Sequence, residues 1–199
     1  MPSVTSRLVA IVLAAGPSTR LGRPKQLLPW PPTGETLVRR AARVARAAAD
    51  RAFVVLGARA DDVRGELEGL DVDVVVNAAW AAGMGASLRA GVSAAAVVAC
   101  DAVLVTTCDQ PLVGEAELEA LALAHAAAPS SPAAAAYDGT VGPPAIFPRR
   151  LFAELLAIPD HAGARRVLDA HAASRVTVAM PAAARDVDTE EAYLALAQT

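Results

Sequence analysis

The chain has 199 residues, a formal net charge of −3 and 54% hydrophobic residues, with aromatics at only 4%. That length suits one domain, residues 1–199, large enough to bury a real core. The acidic balance gives no electrostatic footprint for nucleic acid or a membrane surface, and no apolar run approaches the ~18 residues that span a bilayer. Leu8 to Ala15 is an unbroken apolar run rich in Val and Ile, which predicts a strand buried on both faces. Arg7, this run and Ala-Ala-Gly imitate a secretory leader. The single flanking base and the short apolar core favour a strand instead. The chain then turns polar through Gly16 to Lys25, GPSTRLGRPK. Small residues leave backbone N–H groups open there, and Arg20, Arg23 and Lys25 put three cations within six residues. Amides to cradle oxygens and cations to neutralise them suit a polyphosphate. The spacing is neither a Walker A loop nor GxGxxG.

Leu27-Leu28-Pro29 should dock back on the core, with a Pro-rich connection to Gly34. A helix follows from Glu35 and Thr36, its apolar face set against Arg39, Arg40, Arg43 and Arg46, which read as a solvated face. Ala52–Leu56 is a second strand, Asp61–Leu67 a short helix and Val72–Val76 a third strand. Met84–Val98 reads as a helix with Gly83, Gly85 and Ser87 at its start, a place to meet an anion or a base edge. Ala102–Thr107 is a fourth strand that ends at Asp109. A carboxylate at the end of a buried parallel strand is placed for Mg2+. Glu115–Ala128 is an amphipathic helix. Ala133–Tyr137 and Ala145–Phe147 are short strands around an Asp138-Gly139 turn, a hairpin-like extension. Arg149–Leu156 and Gly163–His171 read as helices and Arg175–Met180 as a final strand. Asp186 to Glu191 opens the last helix, with Asp188 or Thr189 as N-cap. Strands alternating with helices, each strand continuously apolar, predict a mostly parallel α/β sheet with helices on both faces. Cys100 and Cys108 are too few for a disulfide scaffold and read as buried thiols of a cytoplasmic protein. His125, His161 and His171 form no zinc pattern and read as surface or helix-end residues.

The stretch LVAIVLAAGPSTRLGRPKQLLP, Leu8 to Pro29, resembles the signature LAAGxSxRxGxPKxLLP of the molybdenum-cofactor nucleotidyltransferase family, the MobA-like NTP transferases, in its cytidylyltransferase branch. The resemblance implies a single-domain Rossmann-like nucleotidyltransferase fold. It implies nucleotide contacts at Leu13, Ala14, Ala15, Gly16, Arg20 and Lys25, with Arg20 on the β- and γ-phosphates and Lys25 on the α-phosphate. Trp80 to Leu88 resembles a Trp…Gly-Met-Gly-x-Ser-Leu motif, which makes Gly83, Gly85 and Ser87 base contacts. Asp109 matches an Asp-x-Pro motif whose aspartate ligates the catalytic magnesium. Asp188 matches a second metal residue in an Asp-x-Asp-Thr-Pro-Glu-Asp stretch, with Asp186 as the alternative; Glu190 and Ala192 depart from that pattern. Gly142 to Phe147 resembles an acceptor-side segment, with Pro143 where many relatives carry His. Asp160 to Arg166 resembles a Gly-Asp-x-Gly-Ala-Arg segment.

The implied reaction moves a nucleoside monophosphate from an NTP to a phosphorylated acceptor such as molybdopterin and releases pyrophosphate. A molybdenum enzyme would receive the product. CTP is expected over GTP, because the guanylyl branch reads Leu-Ala-Gly-Gly where this chain has Ala15, and Gln110 points the same way. A sugar or polyol phosphate acceptor, or a non-catalytic accessory protein for a molybdenum hydroxylase, are the alternatives. An acceptor phosphate is already ionised near neutral pH, so no general base is required, in keeping with the absence of a placed His or Cys nucleophile.

Overall fold

In the computed structural model, which describes residues 7–196, the apolar run after Arg7 forms the strand at the middle of the sheet, β1 (Leu8–Ala14). The ends of the expected 1–199 domain lie outside the described residues. β2 (Arg51–Leu56) is parallel to β1 on one side and carries β3 (Asp73–Val76) beyond it. β4 (Ala102–Thr107) is parallel to β1 on the other side. β6 (Thr140–Pro148) is antiparallel to both β4 and β5 (Ala133–Tyr137), and β7 (Val176–Ala179) lies parallel to β5 at the edge. The order across the seven strands is β3-β2-β1-β4-β6-β5-β7. This is the expected mostly parallel α/β class.

Alternate side chains of β1 feed two cores, as the pleat requires. Ala10, Val12 and Ala14 join residues of α1 (Leu37–Ala47) and α4 (Glu115–Ala127), among them Val38, Ala42, Leu118 and Leu121. Val9 and Ile11, with Ala15 just past the strand, join Leu88 and Val92 of α3 (Met84–Ala96), Phe152 and Leu155 of α5 (Phe152–Leu156), and Leu168 of α6 (Arg165–Ala170). A third, smaller cluster joins Leu28, Trp30 and Leu37 to Val187 and to Leu196 of α7 (Glu190–Leu196), so Leu28 does dock back. No helix among the described residues is long and apolar enough to cross a membrane.

Three expectations need correction. The strand predicted at Ala145–Phe147 starts at Thr140, and the hairpin it forms with β5 about Asp138-Gly139 is part of the main sheet rather than an extension. Pro143 and Pro144 hid it, since proline has no N–H for a ladder. The β5 register steps from Ala145 to Gly142, so the prolines occupy an irregularity. The arginines of α1 are not a solvated face. Arg39 donates to the carbonyls of Glu66 and Glu68, and Arg40 to that of Pro111 while lying over Trp30. Arg43 pairs with Glu35 and Glu115, and Arg46 with Asp71. A helical wheel shows charge but not the neighbouring elements that use it. Finally, His125 is in the last turn of α4 but buried, at 5% exposure, with Nδ1–H donating to the Ser131 carbonyl.

Candidate active site

The chain leaves β1 toward β2 on one side, while β4 returns on the other. The carboxyl ends of β1 and β4 therefore flank a topological switch point, where open α/β sheets form a crevice. A cavity of about 290 Å³ lies there. Leu13 to Pro17, Lys25 and Gln26 line it from the β1 side, Trp80, Gly83, Met84 and Ser87 from the start of α3, and Thr107 to Asp109 from the end of β4. A second space of about 190 Å³ shares Gly16, Pro17 and Lys25 with it and continues along Ser18 to Leu21 as far as Asp188.

One side chain shapes the polar loop. Gln26 is 1% exposed, and its amide donates to the carbonyls of Ala14 at 3.0 Å and Gly16 at 2.8 Å. Its Oε1 accepts from the Ser18 hydroxyl, which itself accepts from the Lys25 N–H at 3.1 Å. Ser18 sits at φ 56° and its carbonyl accepts from both Leu21 and Gly22, closing the turn. Buried amides are stable only when so satisfied. Gln26 is absent from the residues singled out in the sequence. A polar residue directly before Leu27-Leu28 was its only signal.

The charged residues meet at the junction of the two spaces. The Lys25 ammonium donates to Asp109 Oδ2 at 2.6 Å and to Asp188 Oδ1 at 2.9 Å. Arg20 Nη2 lies 2.8 Å from Asp188 Oδ2. The expected choice of N-cap is resolved by Thr189, whose hydroxyl accepts from the Ala192 N–H and leaves the Asp188 carboxylate free for the cations. Val187 N–H donates to the Asp109 carbonyl at 2.8 Å and joins the two acidic segments. Burial pulls the Lys25 pKa down, but the Asp109 charge and the bonds to both carboxylates outweigh it and raise it. Desolvation opposes ionisation of Asp188, yet Lys25 and Arg20 hold its carboxyl below the usual range. Asp186, exposed as a residue, has its carboxyl pushed up to about 6 by partial desolvation and by the nearby Asp109 charge. Burial pushes the Cys108 thiol up to about 12, so it is no nucleophile. Two carboxylates converging on one cation are a hard oxygen donor set, which fits Mg2+ or Mn2+ completed by water and phosphate oxygens. Among the described residues no group of three or more His, Cys, Asp or Glu forms a protein-only metal cage.

The model of the MobA-like NTP transferase domain matches residues 10–176. The chain belongs to that family. The MobA-like activity is nucleotidyl transfer. Rv0371c from Mycobacterium tuberculosis H37Rv is 32% identical, with 98% of each chain covered and a TM-score of 0.79. A complex of Rv0371c with manganese superposes at a TM-score of 0.74 with 31% identity over 98% of this chain and 100% of that one. A nucleotidyl transferase from Methanothermobacter thermautotrophicus is 26% identical over 96% of each chain, with a TM-score of 0.79. No curated protein matches the chain.

Of the positions carried over from the MobA-like signature, Leu13 to Gly16, Lys25, Gly83, Ser87 and Asp109 line the larger cavity, and Arg20 and Asp188 the smaller. Gly85 lines neither. Its N–H donates to the Asp160 carbonyl, and a Cβ there would sit 2.1 Å from the Pro159 carbonyl oxygen. The glycine serves packing of the 159–162 segment against α3. Ser87 is 5% exposed and accepts from Asn77 Nδ2. Trp80, which opens the Trp…Gly-Met-Gly-x-Ser-Leu motif but is not among the expected base contacts, lines the cavity. Its Cβ and the Ala15 methyl crowd Gly57, where a Cβ would come within 2.6 Å and 2.8 Å of them. The Ala15 methyl thus lies beside Gly57, and Ala15 and Trp80 are both part of the cavity wall. Gln110 does not line the cavity. Its amide donates to the carbonyls of Ala183 and Pro143 and positions the segment that leads to Asp186.

Proposed function

We propose that this enzyme transfers CMP from CTP, in preference to other NTPs, to a phosphate monoester acceptor of the molybdopterin type and releases pyrophosphate. The observation that carries the reading is the meeting of Lys25, Arg20, Asp109 and Asp188 at the mouth of a cavity walled by strand-tip backbone. In this reading the base and ribose lie against Ala14, Ala15, Gly83 and Ser87, and the phosphates run along the Gly16 to Lys25 loop. Arg20 binds the β- and γ-phosphates and Lys25 the α-phosphate. Asp109 and Asp188 would hold Mg2+, and the manganese complex of Rv0371c supports a divalent ion. Such an ion, when bound, offsets charge on the α-phosphate and the departing pyrophosphate. The acceptor phosphate arrives ionised, so the site has only to position it and neutralise charge. The Ala15 methyl, in the cavity wall, favours a pyrimidine over a larger purine. A cytoplasmic molybdenum enzyme is the proposed recipient of the product.

The deciding experiment is a pyrophosphate-release screen of ATP, CTP, GTP and UTP against molybdopterin-type and sugar-phosphate acceptors with Mg2+. Turnover of CTP with molybdopterin is expected. Turnover with sugar phosphates alone would move the acceptor class, and no release from any pair would sink the reading.

A further inference from the structure

We infer that the Lys25 ammonium is the resident counter-ion of the Asp109–Asp188 pair, and that it and a divalent metal ion exclude each other there, so that metal is taken up as nucleotide draws Lys25 away. This rests on the assignment of Asp109 and Asp188 to the metal. A single Nζ lies 2.6 Å from one carboxylate and 2.9 Å from the other. An ion held by the same two oxygens, at the ~2.0–2.2 Å typical of Mg2+ and Mn2+, must take the point that Nζ fills. Two cations cannot share it. The Lys25 side chain is 15% exposed and that of Asp109 20%, so solvent screens little of either the attraction or the repulsion.

Lys25 also has somewhere to go. It lines both spaces of the crevice, so its head can exchange the carboxylates for an anion on the loop without leaving the site. The lysine stem is long enough and rotatable enough for that exchange. Asp188 keeps Arg20 when Lys25 departs, whereas the ion partner of Asp109 among the described residues is Lys25 alone. Asp109 is therefore the carboxylate that most needs a replacement cation. The consequence is positive coupling, reciprocal by thermodynamic necessity, between metal and phosphate binding.

The test is titration of Mn2+ into nucleotide-free protein, with free Mn2+ read by EPR. Lys25→Met should bind Mn2+ at least about tenfold tighter than wild type, within the usual span of such couplings. Lys25→Arg, which keeps a cation between the carboxylates, should stay as weak as wild type. Adding α,β-methylene-CTP should tighten Mn2+ binding to wild type and close the gap to Lys25→Met. Asp109→Asn placed on Lys25→Met should remove the tight site. The idea is overturned if Lys25→Met binds Mn2+ no tighter than wild type, if neither binds it, or if Lys25→Arg binds as tightly as Lys25→Met. Should Lys25→Met fail to fold, NMR of the Lys25 ammonium in wild type decides instead. Its signal should shift or vanish on adding Mg2+ with α,β-methylene-CTP, and an unchanged signal overturns the inference. Pyrophosphate release is not read in any arm, so a wrong acceptor leaves the outcome untouched, and repeating the nucleotide arms with α,β-methylene-GTP separates a wrong base from a wrong inference.

Discussion

Lys25 is the residue on which the site turns, because one ammonium satisfies two carboxylates from segments far apart in sequence. Asp109→Ala should lower kcat by at least about 10²-fold, the scale of losing a major electrostatic stabiliser. The side chain ends β4 at the crevice rather than in either core, so circular dichroism should show an intact fold. Normal turnover in that folded variant removes Asp109 from the chemistry. Lys25→Ala should lower kcat, since its contact matters most as charge builds on the α-phosphate. Arg20→Ala should chiefly raise KM for the NTP. Base choice belongs to the same scale. Ala15→Gly removes a methyl from the cavity wall, and the kcat/KM ratio of CTP to GTP should fall by roughly 10-fold, within the 1–3 kcal/mol of a single methyl-sized contact. An unchanged ratio would place base choice elsewhere, around Met84 and Ser87. At this scale the cations and Asp109 were legible because their types and order form a dense signature. Gln26 and Trp80 were not, since each owes its place to groups that only the folded chain brings near.

Among the elements, the parallel strands were legible to within a residue or two, because burial on both faces makes each one continuously apolar. β6 was not, because its two prolines break both the alternation and the ladder. The start of α3 shows a different limit. Gly83, Gly85 and Ser87 share a sequence neighbourhood, yet only Gly83 and Ser87 line the cavity, and a Cβ on either glycine would run into the 159–162 segment. Gly85→Ala would drive a methyl into the Pro159 carbonyl, an overpacking cost of about 1–3 kcal/mol. Thermal melting should register it as a clear fall in Tm. If Tm holds and only KM for the NTP rises, Gly85 touches the nucleotide after all.

For the whole molecule, two cores hold the sheet from either face, and one of them is tied to a buried imidazole. Burial lowers the His125 pKa, so the folded state binds its proton less readily than the unfolded chain does. The sign follows directly. The stabilising contribution is fully present above the unfolded value of about 6.5 and is lost as pH falls from there toward the folded pKa. Tm should drop between pH 7 and pH 5, and His125→Gln should flatten that drop. An identical pH profile in the variant would show that other groups set the acid limit.

The third cluster unites the Leu28–Leu37 stretch with the segment carrying Asp188, and it is much the smallest of the three. Beyond it, residues 187–196 are tied by the Val187 N–H on the Asp109 carbonyl, by Asp188 on Lys25 and Arg20, by the Tyr193 hydroxyl on the Pro29 carbonyl, and by the Arg23–Glu190 pair, whose side chains are about half exposed. Exposed pairs of that kind contribute little. Local opening of residues 187–196 should therefore cost far less than unfolding the sheet. Hydrogen exchange at their amides should be orders of magnitude faster than in β1 and β4. Each opening carries Asp188 away from Lys25 while the nucleotide cavity stays whole. On warming, turnover should therefore fail several degrees before the sheet melts, while CTP binding persists into that interval.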